Sequence, residues 1–478
     1  MEIIKKIDFI KILIFLSFCI SILSSVHNLS NFDKNISDEN GKHSYHQMIK
    51  TDALRHFKHG AEIIRDLSNG INYFKAGRAS FDEYLPARLV VAYYFFFDLN
   101  SPFNNWEEKK IQTGVHLNYL IIQCAIYYLS LLFLYSVISK QIPKKVSFFI
   151  ILFLGLEPTI FQYHGTFWSE SIFFSLQIIL LTLVINNKTS VINFFLIGIF
   201  LALLAIDRSP AIYYIIPLII YFVFIIKKKF YPKIIFILIG YIFITAFTGY
   251  HNFVRSGYFY IIPNEVRANL HLYLLPNILN DEEKKNEKKI IRNWISTNVE
   301  IKNEYLNEMN KISTHELSTH EFCEQNYLKT ERDKVKYCNY LKSRAFKHLL
   351  EKPFITLKHI FYNSIHFPLL NPFNIYSDHR FPASEIYYQS PTHQKLIPYR
   401  IIYSMFIYIV SIFGLIRLYQ NKDKKILSIL IISVAYFFLT LSWHGNTRYF
   451  VPVLIYISFF FGHGCFAIIN LLNQKIKK

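Results

Sequence analysis

Cysteine is scarce in this chain: five residues in 478, none in the CxxC spacing of a thiolate metal site. That excludes a zinc-ribbon module and a disulfide-dense secreted scaffold. Cys19, Cys124 and Cys465 fall in apolar runs and read as buried thiols, so Cys323 and Cys338, in a polar region, are the one candidate disulfide pair. Acids are also few, 33 against 52 lysines and arginines, giving a net charge of +19. The excess cations punctuate apolar runs instead of gathering into one patch, so no nucleic-acid partner is implied. Internal repeats, low-complexity linkers and a transporter-like pair of broken hydrophobic segments are all missing. No metal-ligand spacing occurs, so no cofactor is expected and a divalent metal is not implied.

What the chain has in abundance is hydrocarbon: 52% hydrophobic residues, 18% aromatics and a mean hydropathy of +0.24. This composition predicts an all-α polytopic membrane protein. Apolar segments run over Phe9–Val26, Leu117–Ile138, Val146–Tyr163, Ser171–Ile185, Val191–Ile206, Ala211–Ile226, Ile234–Tyr250, Ile401–Leu418, Ile426–Leu441 and Phe450–Leu472. They make about ten spans, several near the lower length limit of ~17 residues. Phe9–Val26 has a signal-peptide reading as well, but a retained anchor suits the later spans. The expected organisation is an anchor (1–26), a first outer loop of interfacial helices (27–115), a bundle (116–250), a large, mostly helical outer insert (251–400), and C-terminal spans with a basic tail (401–478). In the first loop, Ala53, Phe57, Ala61, Ile64 and Leu67 recur at helical spacing, which predicts an amphipathic surface helix. Leu85–Leu99 contains Pro86 and Arg88 and reads as interfacial.

Alternate short loops carry the lysines: Lys140, Lys144 and Lys145, then Lys188, Lys227–Lys229 and Lys233, then Lys422, Lys424 and Lys425. The loops between them offer only Arg208 and Arg448. By the positive-inside rule both termini are cytoplasmic, and the loop 27–115 and the insert 251–400 face outward, toward the periplasm of a bacterial inner membrane.

Span interiors are nearly empty of charge, and the polar groups sit at the outer span ends: Glu157, His164, Glu170, Asp207, Arg208, His251, Arg255 and, before the last span, Arg448. Such groups are costly at membrane depth unless paired or used. Together with Asp52 they suit a lipid phosphate, held by arginine, and a hydroxyl whose proton a carboxylate takes. Each also has a structural reading. Asp52 follows Thr51 as a helix-start signal, Glu170 pairs with His164, and Arg208 and Arg448 are interfacial anchors. The Asp281–Glu283 run reads as a solvated helix start.

Four stretches in order carry a family resemblance: TDALRHFKHGAEIIRDLSNG with the later FDEYLPARLVVAYYFF, EPTIFQYHGTFWSESIFFSLQIILL, LLAIDRSPAIYYIIPL and NTRYFVPVLIYISFFFGHG. The chain resembles the GT-C superfamily, integral-membrane glycosyltransferases of the protein mannosyltransferase and aminoarabinose transferase type that use polyprenyl-phosphate sugars. The resemblance implies that Asp52 is the base of an inverting transfer to a lipid, glycan or protein acceptor. It also implies that Arg208, Arg255 or Arg448 holds the departing phosphate and that His164 and Glu170 line the substrate site. The chain departs from the pattern at Ala53, where many members carry a second acid. A polysaccharide polymerase or ligase, and a flippase of lipid-linked glycans, are the alternatives. The late outer insert keeps the first open, though the early Asp52 loop argues against it, and uncharged span interiors disfavour the second.

Overall fold

The computed structural model describes residues 8–35, 52–77, 84–96, 113–165, 169–186, 190–225, 231–263, 271, 275–301, 328–370, 391–421, 423–441 and 451–476. Helix is nearly the only regular structure among them. The chain opens with α1 (Phe9–Asn35), α2 (Asp52–Ser68), α3 (Tyr84–Phe96), α4 (Thr113–Ile138), α5 (Lys144–Leu156) and the short α6 (Pro158–Phe161). It continues with α7 (Glu170–Asn186), α8 (Val191–Asp207), α9 (Ile215–Ile225) and α10 (Tyr231–Ser256). The insert supplies α11 (Leu275–Ile278), α12 (Asp281–Asn298), α13 (Glu331–Glu351) and α14 (Pro353–Leu370). The chain then returns through α15 (Pro391–Gln420), α16 (Lys424–Leu441) and α17 (Val451–Ile476).

This is an all-α membrane protein. Among the described residues, five helices, within α1, α4, α10, α15 and α17, are long and apolar enough to cross a bilayer. Glu170–Asn186, Val191–Asp207 and Ser209–Phe224 are apolar but shorter. The expected span Val146–Tyr163 is broken after Leu156, where Glu157 turns extended (φ −63°, ψ 119°) ahead of Pro158. Proline drives the residue before it out of the helical region, so the chain leaves the helix there.

In lipid, apolar burial drives helix pairing weakly, and close backbone approach at small residues takes over. α8 and α10 meet at Gly198 and Gly240, where an added Cβ would collide with the carbonyls of Ile237 and Phe195. α15 and α17 meet in the same way at Gly414 and Gly464, against the carbonyls of Phe460 and Val410.

Hydrogen bonds sort the helix ends into two groups. The Tyr135 hydroxyl, near the end of α4, donates to Asp8 just before α1 at 2.8 Å. Gln141 donates to the Ile185 carbonyl at the end of α7 (3.1 Å), and Tyr231 at the start of α10 donates to the Val223 carbonyl in α9 (2.7 Å). At the other ends, Gln123 in α4 donates to the Tyr163 carbonyl (3.4 Å), and Glu170 at the start of α7 meets Arg208 just after α8.

The insert has its own small core of Ile291, Ile295, Leu328, Tyr337, Cys338 and Leu341, with Trp294 stacked on Tyr340 at 4.1 Å. The acidic run at Asp281 is a helix start, as expected: Asn280 and Glu283 form a reciprocal capping box. Cys338 is buried in this core, whereas Cys323, its expected disulfide partner, lies outside the described residues.

The insert buries the carboxylate of Glu287. Glu287, 4% exposed, accepts hydrogen bonds from Arg344 through Nε (2.9 Å) and through Nη2, and its carboxylate also meets His348 (3.0 Å) and His271 (3.4 Å). Burial alone would push this carboxyl up. The hydrogen bonds from Arg344, His271 and His348, with the Arg344 charge, outweigh burial and hold it well below the usual carboxylate range. A depressed folded value stabilises above the unfolded pKa of about 4.3, and that stability drains away as pH falls below it. We predict that Glu287→Gln costs the insert about 3 kcal/mol at pH 7. Amide hydrogen exchange in α12 and α13 measures this, and the gap between variant and wild type should close as the pH drops below about 4.

Candidate functional site

The site is assembled from the helix ends at which Glu170 and Arg208 meet. Glu170 opens α7, where its negative charge suits the helix dipole. Arg208 caps α8 in an extended conformation (φ −142°, ψ 121°), and Ser209–Pro210 prevents the helix from continuing. Their side chains meet at 2.9 Å with 0% and 6% exposure, a buried ion pair between two helix ends. Glu170, expected to pair with His164, pairs in the structure with Arg208. His164 instead bonds through Nδ1 to the Ser171 hydroxyl at 2.8 Å, with its ring against Tyr127 at 4.1 Å. Among the described residues, His164 Nε2 is buried with no hydrogen-bond partner.

Asp207, the last residue of α8, is fully buried and lies within electrostatic range of Tyr119. The Tyr119 ring also touches Phe57 of α2 (5.5 Å) and Tyr93 of α3 (5.3 Å), so the first outer loop is pinned over the end of α8. Asp52 is the first residue of α2, as its helix-start signal predicts. Further along α2, His56, His59 and Ile63 are 3%, 1% and 0% exposed, so their side of the helix is turned toward the protein.

A second group lies where α3 meets the end of α10. Arg88 Nη2 is 3.5 Å from His251 Nε2, and the Arg88 guanidinium lies over the Tyr84 ring at 3.9 Å. The His251 ring is packed by Tyr84 (5.5 Å) and Tyr73 (5.7 Å). Arg255, one turn beyond His251, is in electrostatic range of Arg88, Glu331 and Asp66. The Gly77 amide donates to Asp66 at 2.6 Å and ties the end of α2 to the turn that carries Tyr73. Gly77 adopts φ +70°, a conformation that strains other residues.

Two cations held close together suit an anion such as phosphate. The sequence reading used Arg88 only as a mark against a full span. Its signal was there: it is the one charged residue of an otherwise apolar helix, Tyr84–Phe96.

Glu157 is a structural group. Its carboxylate accepts from the Thr159 hydroxyl and the Ile160 amide, both at 2.9 Å, and so caps α6. Arg448 lies outside the described residues. Among the described residues, no three His, Cys, Asp or Glu side chains are grouped to hold a metal ion. Comparison with protein families, curated proteins and solved structures found no match.

The ion pair makes a prediction about stability. Arg208→Gln strips the buried Glu170 carboxylate of its guanidinium and should cost about 3 kcal/mol. The double variant Glu170→Gln/Arg208→Gln should recover most of that loss in thermal unfolding of the purified protein in detergent.

Proposed function

We propose that this chain is a glycosyltransferase of the GT-C type, moving a sugar from a polyprenyl-phosphate donor to a lipid, glycan or protein acceptor. It works in the bacterial inner membrane with its site toward the periplasm. The observation that carries the reading is the placement of α2: headed by Asp52, it seats Phe57 on Tyr119, which lies within electrostatic range of Asp207, and the next residue, Arg208, pairs with Glu170. The sorting of helix ends into two groups supports the orientation, because every outer-end polar group described belongs to one of them.

In this reading the Asp52 carboxylate takes the proton of an acceptor hydroxyl. The acceptor oxygen forms a bond to the anomeric carbon from the face opposite the phosphate, with inversion. The bond from that carbon to the phosphate oxygen breaks, and the oxygen leaves with the electron pair. The phosphate gains charge as it departs, so cations fixed beside it stabilise the transition state more than the bound donor. Arg88 and Arg255 are suited to this, since they lie within electrostatic range of each other. Arg208 is engaged by Glu170 and is better suited to holding α7 and α8 in place than to gripping phosphate by itself.

Asp52→Asn keeps the size and capping ability of the side chain and removes the base. We predict unchanged membrane insertion and a loss of sugar transfer of about 100-fold or more, read with radiolabelled polyprenyl-phosphate sugar in proteoliposomes. Retained transfer would remove Asp52 from the mechanism. In the same assay, Arg88→Gln should raise the donor KM.

A further inference from the structure

The insert ends in a helix whose polarity is turned inside out. In a helix on a water-soluble body, apolar residues face inward and polar residues outward. In α14 the buried position is Thr356, at 8% exposure, with the half-buried His359 on the same side. The opposite side carries Phe354 (84% exposed), Leu357 (61%) and Phe361 (67%), which follow one another at spacings of three and four, a ridge on one face of α14. Leu350 (80%), in the last turn of α13 before the break at Lys352, adds a fourth exposed apolar side chain. Burial pushes the His359 imidazole down, which favours its neutral form against the protein.

The position of α14 indicates what covers the ridge. The helix packs on α15 and α16 of the bundle and on α11 and α13 of the insert. Its neighbour α15 also exposes apolar side chains, Tyr399 (71%), Ile402 (64%) and Phe406 (53%). Those α15 residues belong to or adjoin a helix long and apolar enough to cross a bilayer. α14 itself is not among the candidate spans, since Lys358, His359, Asn363 and His366 interrupt its apolar character. An amphipathic helix with a broad apolar face and a lysine beside it lies in the membrane interface, with that face ~5–10 Å below the headgroups. Lys358, exposed beside the ridge, can reach up to lipid phosphates.

We propose that α14 is a bilayer-docking helix, lying flat in the leaflet at which α15 begins, with the Phe354–Leu357–Phe361 ridge in contact with lipid acyl chains. The insert is then anchored to the membrane at its C-terminal end instead of standing wholly in the aqueous compartment. This does not depend on the transferase reading.

The test places a photoreactive benzophenone amino acid, one position at a time, at Leu357, Phe361 and the exposed Ser343 of α13. The full-length protein is reconstituted in phosphatidylcholine–phosphatidylglycerol vesicles and irradiated. The expected result is lipid adducts, read by mass, from Leu357 and Phe361 and none from Ser343. Two results would overturn the proposal: a covalent dimer from Leu357 and Phe361 without lipid adducts, which would make the ridge a contact between copies, or no adduct from either position.

Discussion

A charge inside an apolar bundle is tolerated only with a partner, and in this protein the partnership of Glu170 with Arg208 orders the end of the bundle where α7 and α8 meet. One member opens α7 and the other closes α8, so their contact sets the height of the two helices against each other. The Arg208–Pro210 corner then brings Asp207 under Tyr119, and Tyr119 receives Phe57 and Tyr93. The two helices of the first outer loop are thereby seated on the bundle, and Asp52 comes with them. Removing the charge pair would affect the seat as well as the local contact.

The insert joins this arrangement and does not hang apart from it. α13 packs against α10, and Arg332 lies over the Tyr258 ring at 5.9 Å, beside the end of α10 that bears His251 and Arg255. Its own body is held by a compact aromatic core and the Glu287 network. The insert therefore has a core of its own and one edge against the second cationic group.

Much of the architecture was legible in the sequence because lipid leaves little choice of structure. Apolar runs of Phe9–Val26, Leu117–Ile138 and Ile401–Leu418 can only be helices, and the structure has helices there. The register of Ala53, Phe57, Ala61 and Ile64 likewise announced α2. The Glu157–Pro158 break was readable from proline chemistry, yet a window of hydropathy passed over it. Which polar groups meet was not legible. Glu170 had His164 nearby in sequence and Arg208 far off, and packing of α7 on α8 favoured the distant partner. Arg88 and Arg255 are brought together by the folding of α3 onto the bundle, which no local pattern encodes. The polarity of α14 was hidden for another reason: spacing reveals an apolar face without saying whether it meets protein or lipid.

The central claim is that the polar helix ends lie at one face of the membrane and the lysine-rich ends at the other. The most direct measurement is labelling with a membrane-impermeant maleimide in sealed right-side-out vesicles, using Lys75→Cys beside the site and Lys144→Cys at the start of α5, each against wild type. The account predicts that Lys75→Cys labels in intact vesicles and Lys144→Cys only after permeabilisation. Equal labelling of both in intact vesicles would contradict it.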